Sequence, residues 1–125
     1  MKKKKILIID DEVSFIRLVK LALEETGNYE VRTENKGEKG LSAALEFKPD
    51  LILLDVVMPD ISGGEVCSQI ISAASLKDTP LIFLTAIVKE KEVGPGVGTI
   101  SGYPFLAKPV SKEKLIKAIE KYIRK

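Results

Sequence analysis

Three uninterrupted apolar runs of four residues, at 6–9 (ILII), 51–54 (LILL) and 81–84 (LIFL), leave this chain few ways to fold. A strand with one wet face alternates apolar and polar side chains. A continuous apolar run bounded by polar residues needs cover on both faces, the situation of central strands in a parallel sheet layered with helices. The intervening segments have helical periodicity. Phe15, Leu18, Val19, Ala22 and Leu23 form a stripe that ends before Gly27, a residue suited to the position just past a helix. Leu41, Ala44 and Leu45 mark a second helix that must stop before Pro49. Val66, Ile70 and Ile71 mark a third helix after Gly63-Gly64. Ser111 caps a last helix carrying Leu115, Ile119, Tyr122 and Ile123. Residues 29–33 read as an edge strand and 105–107 as a short fifth strand. Strands alternating with helices imply βαβ crossovers. The expected fold is therefore α/β: a flavodoxin-like, doubly wound, five-stranded parallel sheet of order 2-1-3-4-5, with residues 1–125 forming one domain.

One segment does not fit the alternation. Residues 89–104 read KEKEVGPGVGTISGYP where a fourth helix is due. Interior glycines cost a helix about 1 kcal/mol each and a proline about 3. A short or distorted helix, or a loop, is expected there.

Several functions are excluded by composition. The 125 residues include no histidine, so histidine acid–base catalysis is impossible, and a single cysteine, Cys67, can form no internal disulfide and no zinc cluster. The net charge of +2 does not point to nucleic acid, and the lysines at 2–5 and 112–125 read as solvated surface. No apolar run approaches the roughly 20 residues of a membrane span. The four-residue run after the N-terminal lysines is shorter than a signal peptide needs. A cytoplasmic protein with no direct nucleic-acid or membrane contact is expected.

The ends of the strands carry the chemistry. In an open parallel sheet, ligands bind beyond the carboxyl ends of the strands where strand order reverses, here between the first and third strands. The first ends on Asp10-Asp11 and the third on Asp55. Adjacent strands lie about 4.8 Å apart, so three carboxylates should converge, and they cannot all stay ionised without a cation. Hard oxygen ligands with room for water and phosphate suit Mg²⁺ or Mn²⁺. The fourth strand ends on Thr85-Ala86 and the fifth on Lys108-Pro109. A cation site, a carboxylate nucleophile, a hydroxyl and an ammonium are the parts needed to move a phosphoryl group onto Asp55. Each residue alone has an ordinary explanation: Asp10 or Asp11 as a helix cap, Asp55 as a turn former, Thr85 as a strand residue, Lys108 as surface. The full set at matching strand ends is specific.

These residues resemble the receiver domain of two-component response regulators over essentially the whole chain. The resemblance is carried by IIDDE at 8–12, LLDVVMPDISG at 53–63, LTA at 84–86 and Lys108-Pro109. It implies that Asp55 accepts the phosphoryl group and that Asp10, Asp11, Asp55 and the backbone carbonyl of Val57 hold Mg²⁺ or Mn²⁺. It further implies Thr85 as a switch hydroxyl, Phe105 as the aromatic switch, Lys108 as the phosphoryl-pairing lysine, a cis Lys108–Pro109 bond and Gly63 as a turn glycine. The implied function is a phosphorylation-dependent signalling switch rather than an enzyme with separate substrate turnover. Its phosphoryl group would come from a sensor histidine kinase or phosphotransfer protein, and its output would go to a downstream protein, with room for a homodimer. The alternative is an interaction module of the same fold that works without phosphorylation. A haloacid-dehalogenase-like phosphohydrolase is disfavoured, because the second acid such enzymes carry two residues after the nucleophile is Val57 here. Two features depart from the family pattern. The glycine-rich stretch at 89–104 replaces the usual fourth helix, and Val57 and Ile87 are apolar where polar residues can assist attacking water. Slow self-dephosphorylation is expected.

Overall fold

A computed structural model describes residues 2–86, 99–100 and 102–124. Strands β1 (Lys4–Ile9), β2 (Tyr29–Glu34), β3 (Leu51–Asp55) and β4 (Leu81–Thr85) alternate with helices α1 (Val13–Glu25), α2 (Gly40–Phe47) and α3 (Gly63–Ile71). Strands β5 (Thr99–Ile100) and β6 (Tyr103–Ala107) and helix α4 (Lys112–Tyr122) follow. The sheet order is β2-β1-β3-β4-β6-β5. All pairs from β2 through β6 are parallel, which is the expected 2-1-3-4-5 arrangement with β6 as its fifth strand. TheTwo-residue β5 is an addition, antiparallel to β6 at the outer edge.

The uninterrupted apolar runs are covered on both faces. Ile6, Ile8, Leu51, Leu53, Ile82 and Leu84 pack with Ile16, Val19 and Leu23 of α1 and Leu115 and Ile119 of α4. The alternate residues Leu7, Ile9, Ile52, Leu54, Leu81 and Phe83 pack with Ala43 and Ala44 of α2 and Val66, Cys67 and Ile70 of α3. Full burial of each such side chain contributes about 1.5–3 kcal/mol, so the three central strands form a rigid platform. The last helix starts as expected, with the Ser111 hydroxyl accepting the Lys114 N–H at 3.1 Å. Ser62 caps α3 in the same way, accepting from Glu65 N–H at 3.2 Å. Lys48 closes α2 in the left-handed region (φ 54°) immediately before Pro49, where the proline ring disfavours a further helical residue.

Some expectations need correction. Leu18 is 67% exposed, and Ile16 takes its place in the α1 stripe. Leu18 directly precedes Val19, and successive helical residues point about 100° apart, so both cannot face the sheet. Ile71 and Tyr122 are likewise exposed ends of their stripes. The fifth parallel strand begins at Tyr103 rather than Phe105. Most of the expected fourth-helix segment lies outside the described residues. Its described part is a short hairpin in which Ile100 pairs with Tyr103 around Gly102 (φ 84°), a conformation glycine adopts freely. Among the described residues, no helix is long and apolar enough to cross a membrane.

Candidate functional site

Strand register delivers the polar residues to one rim. Ile9 lies opposite Leu54, so the next residue of each strand, Asp10 and Asp55, emerge side by side. Asp55 pairs with Leu84, setting Thr85 one step beyond it, and Thr85 pairs with Ala107, setting Lys108 one step further. Side chains alternate along a strand. Asp10, Asp55 and Lys108 therefore continue the row that faces α1 and α4, while Thr85 continues the opposite row. The resulting open cleft of about 380 Å³ is lined by Asp11, Glu12, Asp55, Val57, Thr85, Ala86 and Lys108.

Charge is concentrated and poorly hydrated here. Asp10 is fully buried, and Asp55 and Thr85 are 6% and 2% exposed. The Lys108 Nζ lies 2.6 Å from Asp10 Oδ2, 3.4 Å from Glu12 Oε1 and 3.9 Å from Asp55 Oδ1. It also sits 4.5 Å from the centre of the Phe15 ring. Asp10 Oδ1 accepts the Glu12 N–H at 2.9 Å. Among the described residues, Asp10 Oδ2 meets no donor with hydrogen-bond geometry, its short contact with Lys108 being an ion pair.

Burial, and then the charge of Asp10, push the Asp55 carboxyl up to about 7. Lys108 and the Val57 N–H oppose the shift, while a hydrogen bond with Asp11 adds to it. For Lys108, burial alone would lower the pKa. Its pairing with Asp10 and the charges of Asp55 and Glu12 outweigh that, leaving it raised. An acid that resists ionising beside a lysine that resists neutralising marks a site one cation short of balance.

Carboxylate oxygens of Asp10, Asp11 and Asp55 all lie within 4.8 Å of one another. Three hard donors at this spacing, one of them from Asp10, a fully buried carboxylate whose Oδ2 lacks a hydrogen bond, fit a small hard divalent ion such as Mg²⁺ or Mn²⁺. The loop behind them is held tightly. The Gly63 N–H donates to Val56 O at 2.8 Å, and a Cβ on Gly63 would stand 2.8 Å from Val56 Cα and collide with the Asp55 backbone. Gly63 is thus required by close approach, which sequence reading had placed only as a turn residue.

Asp10, Asp11, Asp55, Thr85 and Lys108 come together as the sequence reading placed them. Val57 lines the cleft, its N–H bonded to Asp55 and its side chain largely exposed. Phe105 stands apart from the cleft, half-buried on β6 and packed on the α2–α3 side of the sheet. The Lys108–Pro109 bond is cis. Ile87 lies outside the described residues. Sequence reading missed Glu12 and Phe15 as neighbours of Lys108. Phe15 was legible only as part of an apolar stripe, and nothing in its spacing shows that the stripe's first member overhangs the rim.

A family model described as the response regulator receiver domain matches residues 6–120. The chain is 37% identical over 123 residues to the alkaline phosphatase synthesis transcriptional regulatory protein PhoP of Bacillus subtilis, covering 98% of this chain and 49% of that protein. It is 38% identical over 125 residues to the nisin biosynthesis regulatory protein NisR of Lactococcus lactis, covering 97% and 51%. The chain thus spans about half the length of these curated relatives. Among solved structures, chemotaxis protein CheY4 of Vibrio cholerae superposes with a TM-score of 0.83 at 31% identity, covering 98% of this chain and all of that one.

Proposed function

This chain belongs to the response regulator receiver domain family, and on that footing we propose that it is a phosphorylation-dependent switch with Asp55 as the phosphoacceptor. The observation that carries the reading is the convergence of Asp10, Asp11 and Asp55 oxygens within 4.8 Å, with the Lys108 ammonium 3.9 Å from Asp55 Oδ1. In the transfer, a carboxylate oxygen of Asp55 forms a bond to phosphorus, and the bond from phosphorus to the donor's histidine nitrogen breaks, its electron pair returning to the imidazole. Phosphoryl transfer asks little covalent chemistry of the protein beyond positioning and charge stabilisation. Asp10, Asp11, Asp55 and the Val57 carbonyl would hold a divalent ion, which when bound would neutralise phosphoryl charge. Lys108 supplies a second positive charge beside Asp55, and the Thr85 hydroxyl, on the adjacent strand end, offers a hydrogen bond to a phosphoryl oxygen.

The donor is a sensor histidine kinase or a phosphotransfer protein, because the chain contains no histidine of its own. Thr85 and Phe105 carry the state of Asp55 outward to a protein partner, and the site works in the cytoplasm on its own carboxylate without turning over a separate substrate. Intact-mass measurement after incubation with acetyl phosphate and Mg²⁺ tests the proposal. Gain of one phosphoryl mass in the wild type, absent in Asp55→Asn, supports the switch; an unchanged wild-type mass supports a phosphorylation-independent interaction module instead.

A further inference from the structure

Lys108 is surrounded by more than the acids. Its stem rises from the α1-facing row of the sheet, and its ammonium lies beneath the first turn of α1, 4.5 Å from the centre of the Phe15 ring. Phe15 is half-buried and packed against the core cluster shared by α1 and α4, so the ring is anchored. The other neighbours of the ammonium are Asp10 at 2.6 Å, Glu12 at 3.4 Å and Asp55 at 3.9 Å.

These contacts respond differently to a divalent ion. Asp10 is both the nearest partner of Lys108 and a member of the carboxylate trio that fits the ion. When its charge is drawn to the ion, its hold on the ammonium weakens. Glu12 is exposed, so its attraction is screened by water and salt. The face of Phe15 is different in kind. It attracts the ammonium through its quadrupole, carries no charge to compete for the ion, and does not repel an incoming phosphoryl group. A flexible lysine stem otherwise loses its orientation readily, having much rotamer entropy to regain.

We propose that Phe15 is a positioning residue, a neutral platform that keeps the Lys108 ammonium beside Asp55 when the divalent site is filled, and so raises the rate of phosphoryl capture. The inference rests on the phosphoacceptor reading of Asp55, but its geometric half can be measured without phosphorylation.

The test has two readouts. In wild-type protein, the Lys108 ε-methylene protons, shielded by the ring, should resonate upfield of ordinary lysines by NMR and stay there at saturating Mg²⁺. In Phe15→Leu they should move to ordinary positions. Phe15→Leu should also slow phosphorylation by acetyl phosphate about threefold to tenfold. Phe15→Tyr, which keeps the ring, should restore the wild-type rate. In a Lys108→Ala background, Phe15→Leu should change nothing further, as a positioning role through Lys108 requires and a general packing role does not. Loss of the upfield shift on adding Mg²⁺ to the wild type would overturn the proposal, even if every variant failed to fold. So would equal rates in wild type and Phe15→Leu, or an undiminished effect without Lys108. If the shift persists but the wild type takes up no phosphoryl group, the functional reading of Asp55 fails and the rate-enhancing role falls with it.

Discussion

Replacing Asp55 by asparagine should stabilise the ion-free protein, and increasingly so as pH rises. The Asp55 carboxyl is held at about 7 in the folded chain against an ordinary 3.8. A folded pKa above the unfolded one means that, between those two values, the native state binds more protons than the unfolded state. Stability therefore falls as pH rises through the window from about 4 to 7. Below it the carboxyl is neutral in both states and no penalty exists. Above it the penalty is complete. At about 1.4 kcal/mol per unit, roughly three units correspond to a ceiling of about 4 kcal/mol; relaxation and water entry at the open cleft lower this to roughly 2–4. Asparagine matches the shape of the protonated acid and cannot ionise, so it escapes the penalty. Urea unfolding in chelated buffer should show Asp55→Asn more stable than wild type by about 1 kcal/mol at pH 5 and roughly 2–4 at pH 8, with the same dependence on urea. Adding Mg²⁺ at ten times its dissociation constant should return about 1.4 kcal/mol to the wild type and little to the variant. A gap that is constant with pH, or a variant less stable at pH 8, would refute the electrostatic account.

Three further outcomes follow from the packing and the sequence of the site. Gly63→Ala should destabilise the fold by about 2 kcal/mol or more, because the added Cβ meets backbone on the strand that carries Asp55; a urea midpoint equal to wild type would contradict the close approach. Ser111→Ala should cost about 1 kcal/mol through loss of the α4 cap, measured in the same assay, without altering Mg²⁺ affinity. Phosphorylated protein purified from its donor should hold its phosphoryl group for minutes or longer by phosphate-affinity electrophoresis, since the apolar Val57 at the cleft offers no polar group to attacking water; loss within seconds would show that water is activated by another route.

What could be read from the sequence divides along physical lines. Residues 6–9, 51–54 and 81–84 announced their strands, because covering both faces of a strand leaves a compositional mark that no surface helix shares. Asp10, Asp55, Thr85 and Lys108 could be grouped in advance because parallel register turns equal strand ends into spatial neighbours. Features set by rotation about a helix axis were not legible. Ile16 rather than Leu18 faces the sheet, and a stripe of adjacent apolar residues does not say which of two neighbours turns inward. The same ambiguity hid Phe15, whose ring belongs partly to the core and partly to the rim. Close backbone approaches such as Gly63 against Val56 depend on the path of a loop, and only the three-dimensional chain shows them. The short β5 strand was missed because local glycine content argued against helix without revealing a pairing partner on β6.

The contrast between platform and rim gives a physical basis for the proposed control of the molecule from a single site. The three central strands bury their apolar runs almost completely, so they cannot yield when charge accumulates at their ends. Repulsion among Asp10, Asp11 and Asp55 is then relieved in two ways, by holding a proton on Asp55 or by accepting a cation. The first appears in the raised Asp55 pKa, and the second in the fit of the carboxylate trio to a divalent ion. A proton on Asp55 also blocks the oxygen needed for attack, so ion binding and nucleophile formation are the same thermodynamic event seen from two sides. Phosphorylation would place new negative charge at this unyielding rim. With the sheet fixed, the proposed switch would leave the response to the Lys108 stem and the Thr85 hydroxyl, and a change at one carboxylate would thereby pass to the surface.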